Sequence, residues 1–205
     1  EARNLIPAGG PRFVLATLRI VKPGEAPFVR ILLQSEPDAI LARNLASWEI
    51  IRAQNSDIEV IADYAINIAN DLTARLIHRH GFALQTPSYD LNITQLLDLI
   101  KRAPAHWFEV TLHQYMPMFH MEHCVFCRFL STGTDSTNCG RPCEEHEITL
   151  RDRVGQKHPV KADAGCRNTV FNAVPQSASE YVDQLLASGV RRFRADCLLE
   201  DADQV

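Results

Sequence analysis

Residues 39–63, AILARNLASWEIIRAQNSDIEVIAD, decide the fold. Ala39–Ala42 is a short apolar run that closes on Arg43-Asn44. Asn44 is a favourable helix N-cap, and Leu45, Trp48 and Ile51 follow it as one stripe of a helix over residues 45–53. Residues 58–62, IEVIA, form a second apolar run, closed by Asp63. Strand, capped helix and strand make one βα unit. Strands this short and this continuously apolar suit a parallel sheet covered on both faces.

The same grammar extends in both directions. Phe13–Ile20 (FVLATLRI) is a β-rich run upstream. Residues 68–80 repeat Ile68, Leu72 and Leu76 at spacing four, which predicts a helix closed by Gly81, and Phe82–Leu84 follows as a strand. Residues 93–101 place Ile93, Leu96, Leu97 and Ile100 on one helical face, with Asn92 as cap and Pro104 beyond. Phe108–Leu112 (FEVTL) is a strand ending in His113.

After His113 the pattern breaks. Residues 114–176 are rich in Cys, His, Pro and Gly, and the only regular feature expected there is a hairpin of 147–153 with 158–163 around Val154-Gly155-Gln156. Then Ser177–Glu180 reads as a capping box, Tyr181, Val182, Leu185 and Leu186 as a helical stripe ended by Gly189, and Val190–Ala195 as a last strand. The organisation expected is therefore a βα-repeat part over 1–113, a Cys/His-rich metal-binding insert over 114–176, and a final helix–strand unit over 177–205. The fold class expected is α/β: a partial TIM-like (β/α) barrel with a Cys-rich insert before the last βα unit. Six candidate strands are present where a closed barrel has eight, which places two outside this chain. The chain opens on Glu1 without a Met, as a piece of a longer protein would.

Composition narrows the function. Of 205 residues, 46% are apolar and 22% charged, which excludes a disordered or coiled-coil chain. A net charge of −4 gives no global basic excess for nucleic acid or an anionic membrane surface. No apolar stretch approaches the roughly 20 residues of a membrane span, and no secretory leader is visible. Six cysteines without a leader point to metal or redox chemistry in a cytoplasmic setting rather than to disulfides.

Five of the six sit together. Cys124-Val-Phe-Cys127 is a C-x-x-C pair, Cys139-Gly-Arg-Pro-Cys143 a looser pair in a Gly/Pro turn, and Cys166 follows Ala164-Gly165. Thiolates on such spacings grip soft or borderline metals: four of them make a closed zinc site or hold a 4Fe–4S cluster, and spacing leaves both open. His120 and His123 flank Glu122 just before the first pair, as ligands, acid/base groups or surface residues. Cys197, on the last strand's exit, reads as a buried or free thiol, Trp48 as core, and Met116, Met118 and Met121 as gap-fillers or an apolar approach. No H-E-x-x-H, G-x-S-x-G or phosphate-binding loop is present. Residues just past strand C-termini line the active face of a βα array, which makes Arg43, Asn44, Asp63, Asn67 and His113 candidates. Asp63 and Arg43 would bind a polar or anionic substrate and His113 would move protons, with Asn44 a helix cap first.

The run Pro117-Met-Phe-His-Met-Glu-His-Cys124-Val-Phe-Cys127-Arg-Phe-Leu-Ser131, then Cys139-Gly-Arg-Pro-Cys143 and Ala162-Asp-Ala-Gly-Cys166-Arg-Asn-Thr-Val-Phe171, resembles peptidase family U-32, the collagenase-like proteases. The resemblance runs upstream through Ile40–Leu45 and Ile61–Tyr64 and downstream through Ser188–Arg194. It implies a TIM-like barrel and either proteolysis or, as in several relatives, oxygen-independent hydroxylation of RNA bases or a small aromatic ring with a 4Fe–4S cluster. Carried over motif by motif, it implies ligands at Cys127, Cys139 and Cys166. The family's remaining ligand position, seven residues before Cys127, is His120 here, so Cys124 is taken as the fourth ligand because a thiolate suits the cluster better, with His120 and Cys143 as the other choices. It also implies Asp63 and His113 near the reacting centre and a partner subunit of the same family.

Overall fold

The computed structural model describes residues 9–54, 57–201 and 203. The chain divides into two compact units, Glu1–Thr111 with Ser179–Arg194 and Leu112–Ala178 with Ala195–Val205. Residues 195–201 therefore cluster with the Cys-rich segment rather than with the final helix.

The first unit carries a parallel sheet in the order β1 (Val14–Ala16), β2 (Ala39–Ala42), β3 (Glu59–Ala62), β4 (Leu84–Gln85). The register pairs Val14 with Ala39, Ala39 with Glu59, and Ile61 with Leu84. Beyond β4, Gln85 bridges Phe108 in parallel, and the Val110 N–H donates to the Arg192 carbonyl at 3.0 Å. All four residues of β2 are buried. Alternation sends Ala39, Leu41, Ile61 and Leu84 into one cluster, while Ile40 and Val60, with no exposed surface, face the other side. Burial of each such Leu or Ile side chain stabilises by about 1.5–3 kcal/mol.

Four helices intervene: α1 (Ala26–Gln34), α2 (Leu45–Ala53), α3 (Asp71–Arg79) and α4 (Ile93–Arg102). Asn44 caps α2 as expected, accepting the Ser47 N–H at 2.7 Å. Asn92 and Gln95 form a full capping box on α4. Three expectations need correction. Helix α1 was not foreseen, because its start carries no side-chain cap; the Glu25 carboxylate accepts the Lys22 N–H instead. The helix expected over 68–80 starts only at Asp71, where Asn70 accepts the Thr73 N–H. That start fixes the phase, so Ala74 and Ile77 are buried while Leu72 and Leu76 stand in solvent. The strand expected over Phe13–Ile20 stops at Ala16, and the Thr17 hydroxyl receives the Arg43 N–H.

Among the described residues the parallel sheet stays open, and no closed barrel forms. The fold is mixed α/β with helices interleaved between parallel strands. No helix among the described residues is long and apolar enough to cross a membrane.

The chain passes between the units within β5 (Val110–Gln114) and again within β11 (Phe193–Asp196). The last strand is thus shifted from the expected Val190–Ala195. The capping box expected at Ser177–Glu180 does not form. Ser177 lies instead in β10 (Gln176–Ser177), antiparallel to β5, and α6 (Val182–Ala187) starts after a 3-10 turn without a side-chain cap.

The second unit is an antiparallel sheet in the order β6 (Pro117–Met121), β9 (Arg167–Phe171), β8 (Lys157–Asp163), β7 (Ile148–Arg151). The expected hairpin is present as β7 and β8, Ile148 opposite Val160. Its turn is tied by the Asp152 carboxylate, which accepts from the Val154 and Gln156 N–H groups. A short helix, α5 (Val125–Leu130), packs Phe126 onto Val160 and Val170, with Met121, Cys124, Val125, Cys143 and Ile148 around them.

Candidate metal centre

The thiols of the second unit are brought together by three irregular segments. Cys124 is the N-cap of α5, its Sγ accepting the Cys127 N–H at 3.4 Å. The Asn168 side chain on β9 accepts the Val125 N–H at 2.7 Å and its Nδ2 lies 3.9 Å from Cys124 Sγ, which ties the first turn of α5 to the sheet. Cys127, one turn on, is buried, with Sγ donating to the Gly133 carbonyl at 3.3 Å.

Gly133 is the point where the second segment presses in. A Cβ built there would lie 2.5 Å from the Asn138 carbonyl oxygen and 2.6 Å from Cys139 Cα. Only glycine lets the 138–139 backbone approach this closely. Next, Gly140 and Arg141 adopt left-handed backbone, the Arg141 N–H donates to Cys139 Sγ at 3.4 Å, and a 3-10 turn carries Cys143. Cys166 comes from the third segment, the β8–β9 connection, where Gly165 and Cys166 are both left-handed at φ 73° and 60°. A non-glycine residue in that region costs about 1–3 kcal/mol, which the hairpin on either side must hold in place.

The electrostatics report the convergence. Burial raises the Cys127 thiol above its usual range, and the neighbouring thiols of Cys139, Cys124 and Cys166 raise it further, Cys139 through a hydrogen bond as well. Burial likewise raises Cys143, with Cys124 and Cys139 among its neighbours. All five clustered cysteines are free, as is the exposed Cys197. Among the described residues, no three His, Cys, Asp or Glu side chains close on one point in a metal-holding arrangement. The donor set nonetheless has the chemistry such a group needs. Neighbouring thiols, of which Cys127 is buried and the others half-buried, disfavour one another's ionisation, and a cation among them would remove that penalty.

Glu122 is engaged elsewhere: its carboxylate accepts from Nε of the fully buried Arg167 at 2.9 Å. The His120 ring pairs with the Thr169 hydroxyl at 2.9 Å. His123 is exposed, and Met121 joins the core while Met118 lies on the surface.

His113, in the same unit, lies inside β5 opposite Ser177, and its Nε2 meets Glu200 Oε1. Glu200 is held down to about 2 by that hydrogen bond first and then by the Leu198 N–H. An ionised carboxylate only accepts, so Nε2 carries the proton and Nδ1 is the nitrogen that remains for chemistry. Sequence reading missed Glu200, Gly133 and Asn168. The first is distant along the chain, and the other two act through backbone approach and an amide bridge that no motif encodes.

In the first unit the strand ends carry a different constellation. The Asp63 carboxylate is fully buried and accepts from Arg43 Nε at 3.2 Å and from Arg194 Nη1 at 2.9 Å. Asn44 Nδ2 donates to the Leu18 and Arg19 carbonyls, so this residue braces a loop as well as capping α2. Asn67 is a left-handed residue closing the 3-10 turn of Tyr64–Ile66. Trp48 stacks on Phe82 and Trp107 on His78.

Fold and thiols together define a class: an α/β protein in which a parallel βα array is joined to a small antiparallel unit that gathers cysteines from three loops. The family model for Peptidase family U32 matches residues 24–205, and the chain belongs to that family. No curated protein and no solved structure matches.

Proposed function

We propose that the chain is part of an iron–sulfur enzyme in which Cys124, Cys127, Cys139 and Cys166 hold a 4Fe–4S cluster, and that the enzyme hydroxylates an RNA base or a small aromatic without molecular oxygen. What supports this is the neighbourhood of Cys127, whose N–H meets Cys124 Sγ, whose helix end is approached by the 138–139 backbone at Gly133, and whose thiol is raised by burial and by Cys139, Cys124 and Cys166. Cys143, which also neighbours Cys124 and Cys139, is the reserve ligand. Zinc on the same sulfurs is the competing occupant. Bound there, a cluster would supply electrons one at a time.

The remaining roles fall to this chain's own groups. His113, aimed and kept in one tautomer by Glu200, takes or gives a proton at Nδ1. Asp63 holds Arg43 and Arg194 in place within the first unit. A partial (β/α) barrel completed by strands outside this chain, a cytoplasmic setting and a partner subunit of the same family belong to the same reading.

Protein purified without oxygen should be brown and contain about four iron and four acid-labile sulfide per chain. A colourless protein with one zinc per chain would overturn the cluster. Gelatin cleavage that disappears on chelation would instead establish the proteolysis that the family description names.

A further inference from the structure

We propose that Arg19, Arg43 and Arg194 form a binding site for a small oxyanion, a carboxylate or a phosphate group, at the C-terminal edge of the parallel sheet. The site lies wholly in the first unit and does not depend on the metal centre.

Three elements bring these guanidinium groups to one place. Arg43 follows β2 and Arg194 lies on the last strand, and both bond the same buried carboxylate, Asp63. Arg19, in the loop after β1, donates to the Tyr64 hydroxyl and sits 5.5 Å from the centre of that ring, with Arg194 at 6.0 Å on it too. Tyr64 is buried and packs edge-on against Tyr89 at 5.1 Å. It is therefore a fixed platform that holds two cations beside a third.

Charge and hydrogen-bond capacity do not balance internally. Arg43 and Arg194 share the Asp63 carboxylate, and Arg19 is held by the Tyr64 hydroxyl. Arg43 commits only its Nε, and its two terminal amino groups have no partner among the described residues. Arg19 has no carboxylate partner among them either. A guanidinium offers five donors, and partly buried cations held together repel unless an anion joins them. Ligands of parallel α/β sheets collect at this edge of the strands.

The ligand is small. The side chains of Arg43 and Arg194 are only 24% and 14% exposed, so their donors are recessed. A nucleic-acid backbone needs donors that stand out from the surface, and the chain's net charge is −4.

Isothermal titration of the full chain with inorganic phosphate, with benzoate, with an RNA oligonucleotide and with chloride at matched ionic strength tests the site. Saturable binding of phosphate or benzoate, absent with chloride, is expected, and the one that binds names the oxyanion. Arg19→Gln, which breaks no ion pair, should keep its circular dichroism spectrum and bind about tenfold more weakly. Arg43→Lys keeps a cation on Asp63 but loses the planar fork, and should weaken binding as well. Wild-type affinity in both variants overturns the proposal, as does binding of neither small anion, whether or not the oligonucleotide binds.

Discussion

Strand β2 of the first unit encloses Ala39, Ile40, Leu41 and Ala42, whereas β9 of the second encloses Arg167, Asn168 and Thr169. The first unit repeats one solution, an apolar strand followed by a helix with a polar cap, and its core is aliphatic. The second has a core of Phe126, Val160 and Val170 and spends buried positions on polar groups that tie loops down. Small apolar cores leave little net stability, and small units commonly add a covalent or metal staple. The contrast teaches that the second unit leans on polar ties around a small apolar core, where the first relies on aliphatic burial.

The sharpest way to break the contrast is Asp63→Ala. It leaves the partly buried Arg43 and Arg194 without their anion, and should cost about 3–5 kcal/mol of the first unit's stability. Urea unfolding followed by Trp48 and Trp107 fluorescence, both in that unit, would read it, while metal content stays unchanged. A loss under 1 kcal/mol would mean that the buried pair is not what closes the strand ends. Ile40→Ala comes next, at about 2–5 kcal/mol through the cavity it leaves in the aliphatic core.

Gly133→Ala tests the other side. The added methyl meets backbone at 2.5 Å, so the 138–139 segment must move and take Cys139 away from Cys127. The expected cost is about 1–3 kcal/mol, confined to the second unit, together with loss of the proposed metal. Full metal content in this variant would show that Cys139 is not among the ligands.

The smallest effect concerns acid. The carboxyl of Glu200 lies at about 2 in the folded protein against an ordinary 4.5, so its contribution to stability is complete above pH 4.5 and disappears as pH falls toward 2. Glu200→Gln should therefore lower the stability of the second unit near neutrality, where that contribution is complete, leave it little changed near pH 2, and so flatten the acid limb of the profile. An unaltered acid limb would mean that another carboxylate governs it.

Much of the first unit was legible in advance. Strand β2 and helix α2 fall on the residues where the continuous apolar run and the Asn44 cap put them, because both signals are local. The misreadings are local signals overruled by contacts. Leu72 and Leu76 keep helical spacing yet face solvent, since Asn70 starts α3 later and turns Ala74 and Ile77 inward. Ser177 and Glu180 spell a capping box, but Ser177 is claimed by strand pairing with His113. In the second unit the hairpin was legible from its turn, because Asp152 ties it locally.

By itself the sequence determined which residues alternate, cap and turn, and that five thiols lie close in the chain; these depend on neighbours a few residues away. Only the tertiary structure decided that Asp63 would be sealed between two arginines, that Glu200 would hold His113, and that Gly133 would admit Cys139 beside Cys127. The first two join segments far apart in the chain and the third depends on how closely a loop approaches its own helix; in each the energy depends on burial and on the direction of approach, and neither is written in residue spacing.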